Sequence, residues 1–217
     1  MNFLQPPQLK AYDELKGMII RGELQPKTIY SETKLSQSLG ISRTPFRDAI
    51  HRLTHEGYLD VLPSKGFQIH EMNARDLLET YQIRCALEGF CIVQLAKDYD
   101  TPSAKALFSE LDELIVRQAD IISTTHSACE FAEYDVEFHK KILYHLDNSL
   151  MQDAFETYLY QMSKQISLSL ESPGRLEETI AEHIEILDFM KMGAVGRSYK
   201  SILNHLENPK VLIHLEE

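Results

Sequence analysis

Gly40 is the residue that most restricts what this chain can fold into. It separates two amphipathic runs too closely for anything but a tight left-handed turn, a conformation that a residue without Cβ adopts freely. Before it, Ser31 or Glu32 opens a short helix through Leu35 and Leu39. After it, Ile41-Ser42-Arg43-Thr44-Pro45-Phe46-Arg47-Asp48 opens another, with a hydroxyl ahead of a first-turn proline and Phe46, Ala49, Ile50 and Leu53 continuing the apolar stripe to Gly57. A further helix precedes both, with Leu9, Tyr12, Leu15, Ile19 and Ile20 at three-and-four spacing and a stop near Gly22. Tyr58 to Val61 and Phe67 to Ile69 are short β-type runs around Pro63-Ser64-Lys65-Gly66, which predicts a hairpin with a basic tip. Three helices, a short turn between the last two, and a hairpin make a winged helix-turn-helix.

From Asn73 onward strand signals vanish. Amphipathic helices are predicted at roughly 74–98, 102–122, 127–146, 148–170, 175–191 and 194–207, punctuated by Pro102, Asn148, Pro173-Gly174, Gly193 and Pro209. Short links between such helices predict a bundle. The expected fold is mainly α: a winged helix-turn-helix over residues 1–72, then an all-helical domain over 73–217. Charge divides at the same place. Residues 1–72 hold nine Lys+Arg against eight Asp+Glu, a balance of +1, and the remainder holds 13 against 25, a balance of -12. Two surfaces with different partners are implied, and the first can still present a local basic face.

Hydrophobic residues at 43% and charged residues at 25% are ordinary for a globular chain. No window holds the 18 or so apolar residues of a membrane span, and the N-terminus has no export signal, so a cytoplasmic location is expected. Cys85, Cys91 and Cys129 are odd in number and lack Cys-x-x-Cys spacing, which predicts three reduced core thiols.

The chemistry of the first domain concentrates at the start of its third helix. A helix-turn-helix protein puts that turn into the major groove, where an arginine grips guanine O6 and N7 in a two-point fork and hydroxyls hold phosphates. Ser42, Arg43, Thr44 and Arg47 occupy it, with Lys65 and Gly66 at the wing tip. The run containing Ile29, Glu32, Leu35, Leu39-Gly40-Ile41-Ser42-Arg43-Thr44-Pro45, Arg47 and Ala49, continued by Leu53, Glu56-Gly57 and Gly66, closely resembles the GntR family of bacterial transcription regulators. The resemblance covers residues 9–70. It implies that Arg43, Thr44 and Arg47 contact operator DNA, assisted by Ser42 and the Lys65-Gly66 wing, in a homodimer. Two positions depart from the family pattern. Lys27 follows Pro26 where the family usually has glycine, and Thr33 stands where many members carry arginine.

In the second domain Asp135 and His139 are four residues apart, on one helical face. His183 and His205 lie on the last two long helices, which antiparallel packing can bring to one interior point. One carboxylate with three imidazoles suits Zn²⁺, Ni²⁺, Mn²⁺ or Fe²⁺ and leaves coordination positions for a ligand on an octahedral ion. Spacing alone is equally served by packed histidines. Tyr81, Arg84 and Leu87-Glu88, then Asp135, His139 and Asn148, then Glu182-His183 and His205-Leu206, resemble the FCD effector domain of the FadR-type branch of that family. The resemblance implies a metal at Asp135, His139, His183 and His205, and a small carboxylate effector such as a sugar acid or hydroxy acid beside it. It also implies that Arg84 grips the carboxylate and that Asn148 joins the ligand network. A salt bridge to Glu88 accounts equally for Arg84, and helix capping for Asn148.

His51 and His55 share metal-capable spacing, but Arg52 stands where a zinc protease needs glutamate, so an exposed pair is expected. No Glu-x-x-His, P-loop lysine or Gly-x-Gly-x-x-Gly occurs. Tyr158, Tyr160 and Met162 are expected in the core. The predicted function is a non-enzymatic, ligand-responsive transcription regulator bound to double-stranded operator DNA. The alternatives are a metalloenzyme acting on a small carboxylate and a regulator for which the metal is itself the signal.

Overall fold

The computed structural model describes residues 6–207 and divides into two compact units that meet between Met72 and Asn73. The expected breaker Pro209 lies outside the described residues. The first unit contains α1 (Pro7–Ile20), α2 (Glu32–Ser38), α3 (Arg43–His55), β1 (Leu59–Leu62) and β2 (Gly66–Ile69). Its strands pair antiparallel from Leu59 opposite Ile69 to Leu62 opposite Gly66, and Tyr30 bridges to Phe67. Leu15, Phe46, Ile50, Leu53, Leu59 and Phe67 are sealed in its core. Leu9 and Ile20, expected in the buried stripe of α1, are exposed; the helix buries Ala11, Tyr12, Leu15 and Ile19 instead. That face is centred on Leu15, and Leu9 and Ile20 fall at its edges, where the helix ends.

Two turn positions explain the glycine pattern. A Cβ on Gly66 would sit 2.0 Å from the carbonyl oxygen of Tyr30, so the bridge from Tyr30 into the hairpin requires glycine there. Lys27, which replaces the usual glycine, keeps the left-handed backbone all the same, at φ 59°. The turn is preserved and the lysine carries its strain.

The second unit is a bundle of α4 (Ala74–Lys97), α5 (Pro102–Ser123), α6 (Ala128–Tyr144), α7 (Ser149–Leu170), α8 (Arg175–Lys191) and α9 (Val195–Leu206). Their starts are fixed by side chains: Asn73 and Asp76 form a reciprocal capping box on α4, and Thr101, Ser127 and Asn148 cap α5, α6 and α7. Cys91, Ile92, Leu95, Phe138, Ile142, Phe155 and Ile186 fill the core. Met162 is buried, and Tyr158 and Tyr160 are half-buried beside it. Of the three cysteines only Cys91 is a core thiol; Cys85 is half-buried and Cys129 exposed. Cys129 lies in the first turn of α6, outside the stripe that Phe131, Ala132 and Asp135 turn inward. Among the described residues no helix is long and apolar enough to cross a membrane.

Candidate functional site

Four helices of the bundle bring Asp135 and His139 (α6), His183 (α8) and His205 (α9) together against Glu88 (α4). The carboxylate and imidazole atoms that could bind an ion all lie within 4.8 Å of one another, and all four side chains are buried. Asp135 Oδ2 is 3.6 Å from His139 Nε2, and Asp135 Oδ1 is 3.4 Å from His183 Nε2. His139 and His205 approach through their Nε2 atoms at 3.1 Å. Such spacings suit atoms sharing one ion at roughly 2.0–2.2 Å from each.

What orients the three rings is a set of partners on their other nitrogens. His183 Nδ1 meets Gln118 Oε1 at 3.0 Å, and His205 Nδ1 meets Glu182 Oε2 at 2.7 Å. His139 Nδ1 lies 2.6 Å from Glu88 Oε2, at ion-pair distance although out of line for a hydrogen bond. A carboxylate oxygen cannot face a nitrogen lone pair that closely, so Glu88 and Glu182 place the proton of each ring on Nδ1. The Nε2 lone pairs of His139 and His205 are thereby left to point inward. His183 Nε2 and Asp135 Oδ1 are buried without a hydrogen-bond partner among the described residues. Inward lone pairs on nitrogen and oxygen, with outer nitrogens held by acceptors, fit the donor set and support that a divalent metal ion requires.

Electrostatics agree with that chemistry. Burial, together with the neighbouring His205 and His139, lowers the basicity of His183 well below that of free imidazole. Burial also outweighs the adjacent carboxylates at His139 and His205, so both pKa values fall. All three rings are therefore kept neutral, the form that ligates. Burial raises Asp135 to about 6. For Glu88, burial is outweighed by Arg84 and His139, which hold it at about 2; for Glu182, the bonds to His205 and Arg175 do the same.

A cavity of about 200 Å³ opens beside Asp135 and His205, and Arg84, Arg175 and Thr179 line it. Arg84 does bond Glu88, Nε to Oε1 at 2.7 Å, yet its Nη2 is buried with no hydrogen-bond partner among the described residues. The salt bridge and a place in the cavity wall thus coexist. Arg175 bonds Glu182 through both terminal nitrogens, at 2.7 and 2.6 Å, and its Nε and the Thr179 hydroxyl also lack hydrogen-bond partners among the described residues. Asn148 caps α7 by accepting from the Met151 amide at 3.2 Å; it is exposed and is not part of the cavity wall. Sequence reasoning missed Gln118, Arg175 and Thr179. Only the adjacency of Glu182 to His183 offered a local signal.

In the first unit, Ser42, Arg43, Thr44 and Arg47 are exposed on the first turns of α3, and Lys65 is exposed at the hairpin tip. Ser42 occupies the N-cap position without a capping bond from its hydroxyl. Arg47 Nε donates to Glu32 Oε2 at 3.3 Å, which links α3 to α2. His51 and His55 are exposed.

A winged helix-turn-helix followed by a helical bundle around a buried three-histidine, one-carboxylate cluster defines a class, the two-unit DNA-binding regulators. The chain belongs to the GntR family: the pattern of bacterial regulatory proteins, gntR family, matches residues 7–69, and the FCD domain matches residues 79–208. It is a transcriptional regulator of that family with an FCD effector domain. An uncharacterized HTH-type transcriptional regulator, YdhC of Bacillus subtilis strain 168, is 26% identical over 203 residues, which cover 94% of this chain and 89% of YdhC. The gluconate operon transcriptional repressor of the same organism is 29% identical over 175 residues, 81% of this chain and 69% of the repressor. The structure of E. coli McbR/YncC shares the fold with a TM-score of 0.68 at 23% identity, over 99% of this chain and 100% of that one.

Proposed function

We propose that this regulator is a homodimer whose operator affinity responds to a small carboxylate bound at a divalent metal ion. Asp135, His139, His183 and His205 hold the ion in this reading, whether Zn²⁺, Ni²⁺, Mn²⁺ or Fe²⁺, and Arg84 grips the carboxylate. When bound, the ion supplies a Lewis-acidic anchor for the anion. The observation that carries the reading is the arrangement of three buried imidazoles, each held through Nδ1, around a buried carboxylate with an unpartnered oxygen. No catalytic step is part of it. A relative named for the gluconate operon adds support for an organic acid as signal.

Residues 1–72 bind DNA and residues 73–217 carry metal and effector. Ser42, Arg43, Thr44 and Arg47 enter the major groove, and the Lys65-Gly66 wing meets the backbone. One such helix reads too few bases, so a dimer on a two-fold operator follows. A ligand changes DNA affinity only if it binds the DNA-competent geometry differently from the other one.

Elemental analysis of the purified protein, sedimentation, and operator titration with and without carboxylates test the reading together. One divalent ion per chain, a dimer, and a 5- to 150-fold shift in operator affinity are expected, the shift being the range of a 1 to 3 kcal/mol coupling. Full metal occupancy in a His183→Ala, His205→Ala double variant would place the ligands elsewhere. A carboxylate that binds tightly and leaves operator affinity unchanged would remove the coupling.

A further inference from the structure

We propose that the effector is a monocarboxylate with an apolar tail, and that a polyhydroxylated or dicarboxylic acid is excluded. The inference rests on the carboxylate-effector reading above and narrows it from the walls of the cavity.

The polar end comes first. Three residues of the cavity wall each carry a buried donor without a hydrogen-bond partner among the described residues: Arg84 Nη2, Arg175 Nε and the Thr179 hydroxyl. The Thr179 side chain is 1% exposed and each arginine 5%, so water does not readily satisfy them from outside. Unpaired buried donors of this kind ask for an acceptor. The charge of the surroundings then limits how many negative charges the acceptor carries. Arg84 and Arg175 stand against Glu88, Glu182, Asp135 and the half-exposed Glu178, which lies 3.5 Å from Arg175 Nη1, with the histidines neutral. Without an ion the cluster is two units negative and repels an anion; a divalent ion brings it to neutrality. One carboxylate then has the ion and the unpaired donors as its partners. A second would be a buried, uncompensated anion, and the exposed Glu207 at the cavity wall opposes it further.

The rest of the wall is carbon. Leu78, Ile166, Leu170, Leu206 and the ring of Tyr81 form most of it; the Tyr81 hydroxyl bonds the Cys85 thiol, Gln165 Nε2 donates to the Leu77 carbonyl at 3.2 Å, and Ser169 has its own partner. The hydroxyls of a sugar acid would be stripped of water there with little to replace it. A hydrocarbon tail gains from the same surface. The cavity, about 200 Å³, sets a limit on the length of that tail.

The test uses the full chain loaded with Zn²⁺ or Mn²⁺ and titrated by calorimetry with acetate, butanoate, hexanoate, octanoate, gluconate and succinate. Affinity is expected to rise roughly threefold to fourfold per methylene from acetate to hexanoate, then level off as the cavity fills. Gluconate and succinate are expected to bind at least about tenfold more weakly than hexanoate. Leu78 lines the cavity but is 45% exposed, so Leu78→Gln leaves folding intact. That variant should flatten the chain-length series and leave acetate unchanged. Thr179→Val, of nearly the same shape, should weaken every carboxylate. A flat series in the wild type, or tightest binding by gluconate or succinate, overturns the inference while the carboxylate reading stands. If none of these acids binds the metal-loaded protein, the carboxylate reading itself falls and takes the inference with it.

Discussion

His139 and His205 face each other through Nε2 atoms 3.1 Å apart, each with its Nδ1 turned toward a carboxylate. Two neutral rings in those tautomers oppose lone pair to lone pair, so the arrangement calls for a cation between them. Metal removal should therefore destabilise the bundle. At a free-ion concentration about 100 times the dissociation constant, an ion that binds only the folded state adds about 2.7 kcal/mol. Chelation should lower the melting temperature of the wild type, and His205→Leu, which removes one of the opposed lone pairs, should melt no lower than the chelated wild type. Identical melting of loaded and chelated wild-type protein would refute a metal at this pair.

Glu182 accepts from His205 Nδ1 while both terminal nitrogens of Arg175 hold it in place. Such outer partners fix the ring and its tautomer, and losing one typically weakens metal binding 10- to 100-fold. Glu182→Gln keeps the shape and loses the charge. Competition titration with a metal indicator should show weakening in that range with stoichiometry retained; unchanged affinity would mean that Glu182 serves only the helix surface.

Arg43 opens α3 with its side chain in solvent. If it reads a guanine, Arg43→Ala costs about 1–3 kcal/mol in operator binding and relaxes specificity at that base pair. Arg47→Ala also frees Glu32, and its effect mixes contact with positioning. Gel-shift titration of both variants at fixed salt measures this. Wild-type affinity in both would exclude this turn as the reading surface.

The elements were legible because each rests on a local signal. Gly40 and Gly57 close helices, Asn73 and Asn148 cap them, and the four-residue spacing of Asp135 and His139 places both on the buried face of α6. Antiparallel packing allowed His183 and His205 to join them, but packed histidines served equally, and family resemblance made the choice, since no local rule links α8 and α9 to α6. Gln118 had no signal at all: it lies 65 residues from the ring it orients. Arg175 resembles any helix-starting arginine until the packing buries it. Cys129 failed in the opposite sense, because composition treats every thiol as core while helix phase turns this one outward.

Lys27 keeps a left-handed backbone at φ 59° in an exposed turn. A side chain in that region costs about 1–2 kcal/mol, and glycine gives back roughly half of the gain through the freedom of its unfolded chain. Lys27→Gly should therefore stabilise the first unit by up to about 1 kcal/mol, partly offset by loss of the long, exposed contact to Glu71 at 3.8 Å. The urea midpoint should rise at constant m-value. A fall would show that the lysine side chain outweighs its backbone.

Tyr12 on α1 donates its hydroxyl to Glu56 Oε2 at 2.5 Å, at the end of α3, and the Arg52 guanidinium lies 3.9 Å from its ring centroid. Burial, then the bond to Glu56 and its charge, raises the tyrosine pKa well above the ordinary value of 10.0. A raised folded-state pKa means that the folded form holds the proton more tightly than the unfolded form. The stabilisation is fully present below about pH 10 and is lost as pH climbs from there toward the folded value. Each proton released only on unfolding lowers stability by up to about 1.4 kcal/mol per pH unit. Tyr12→Phe removes a hydrogen bond to a charged group, worth about 1.5–3 kcal/mol, so the variant should be weaker at neutral pH. Above pH 10 its stability should decline less steeply than that of the wild type, and the two curves should converge. Ten tyrosines titrate in this range, so the quantity to measure is the difference in slope between the two proteins in urea series from pH 7 to 11. Parallel slopes would show that Tyr12 is not the proton that ties α1 to α3.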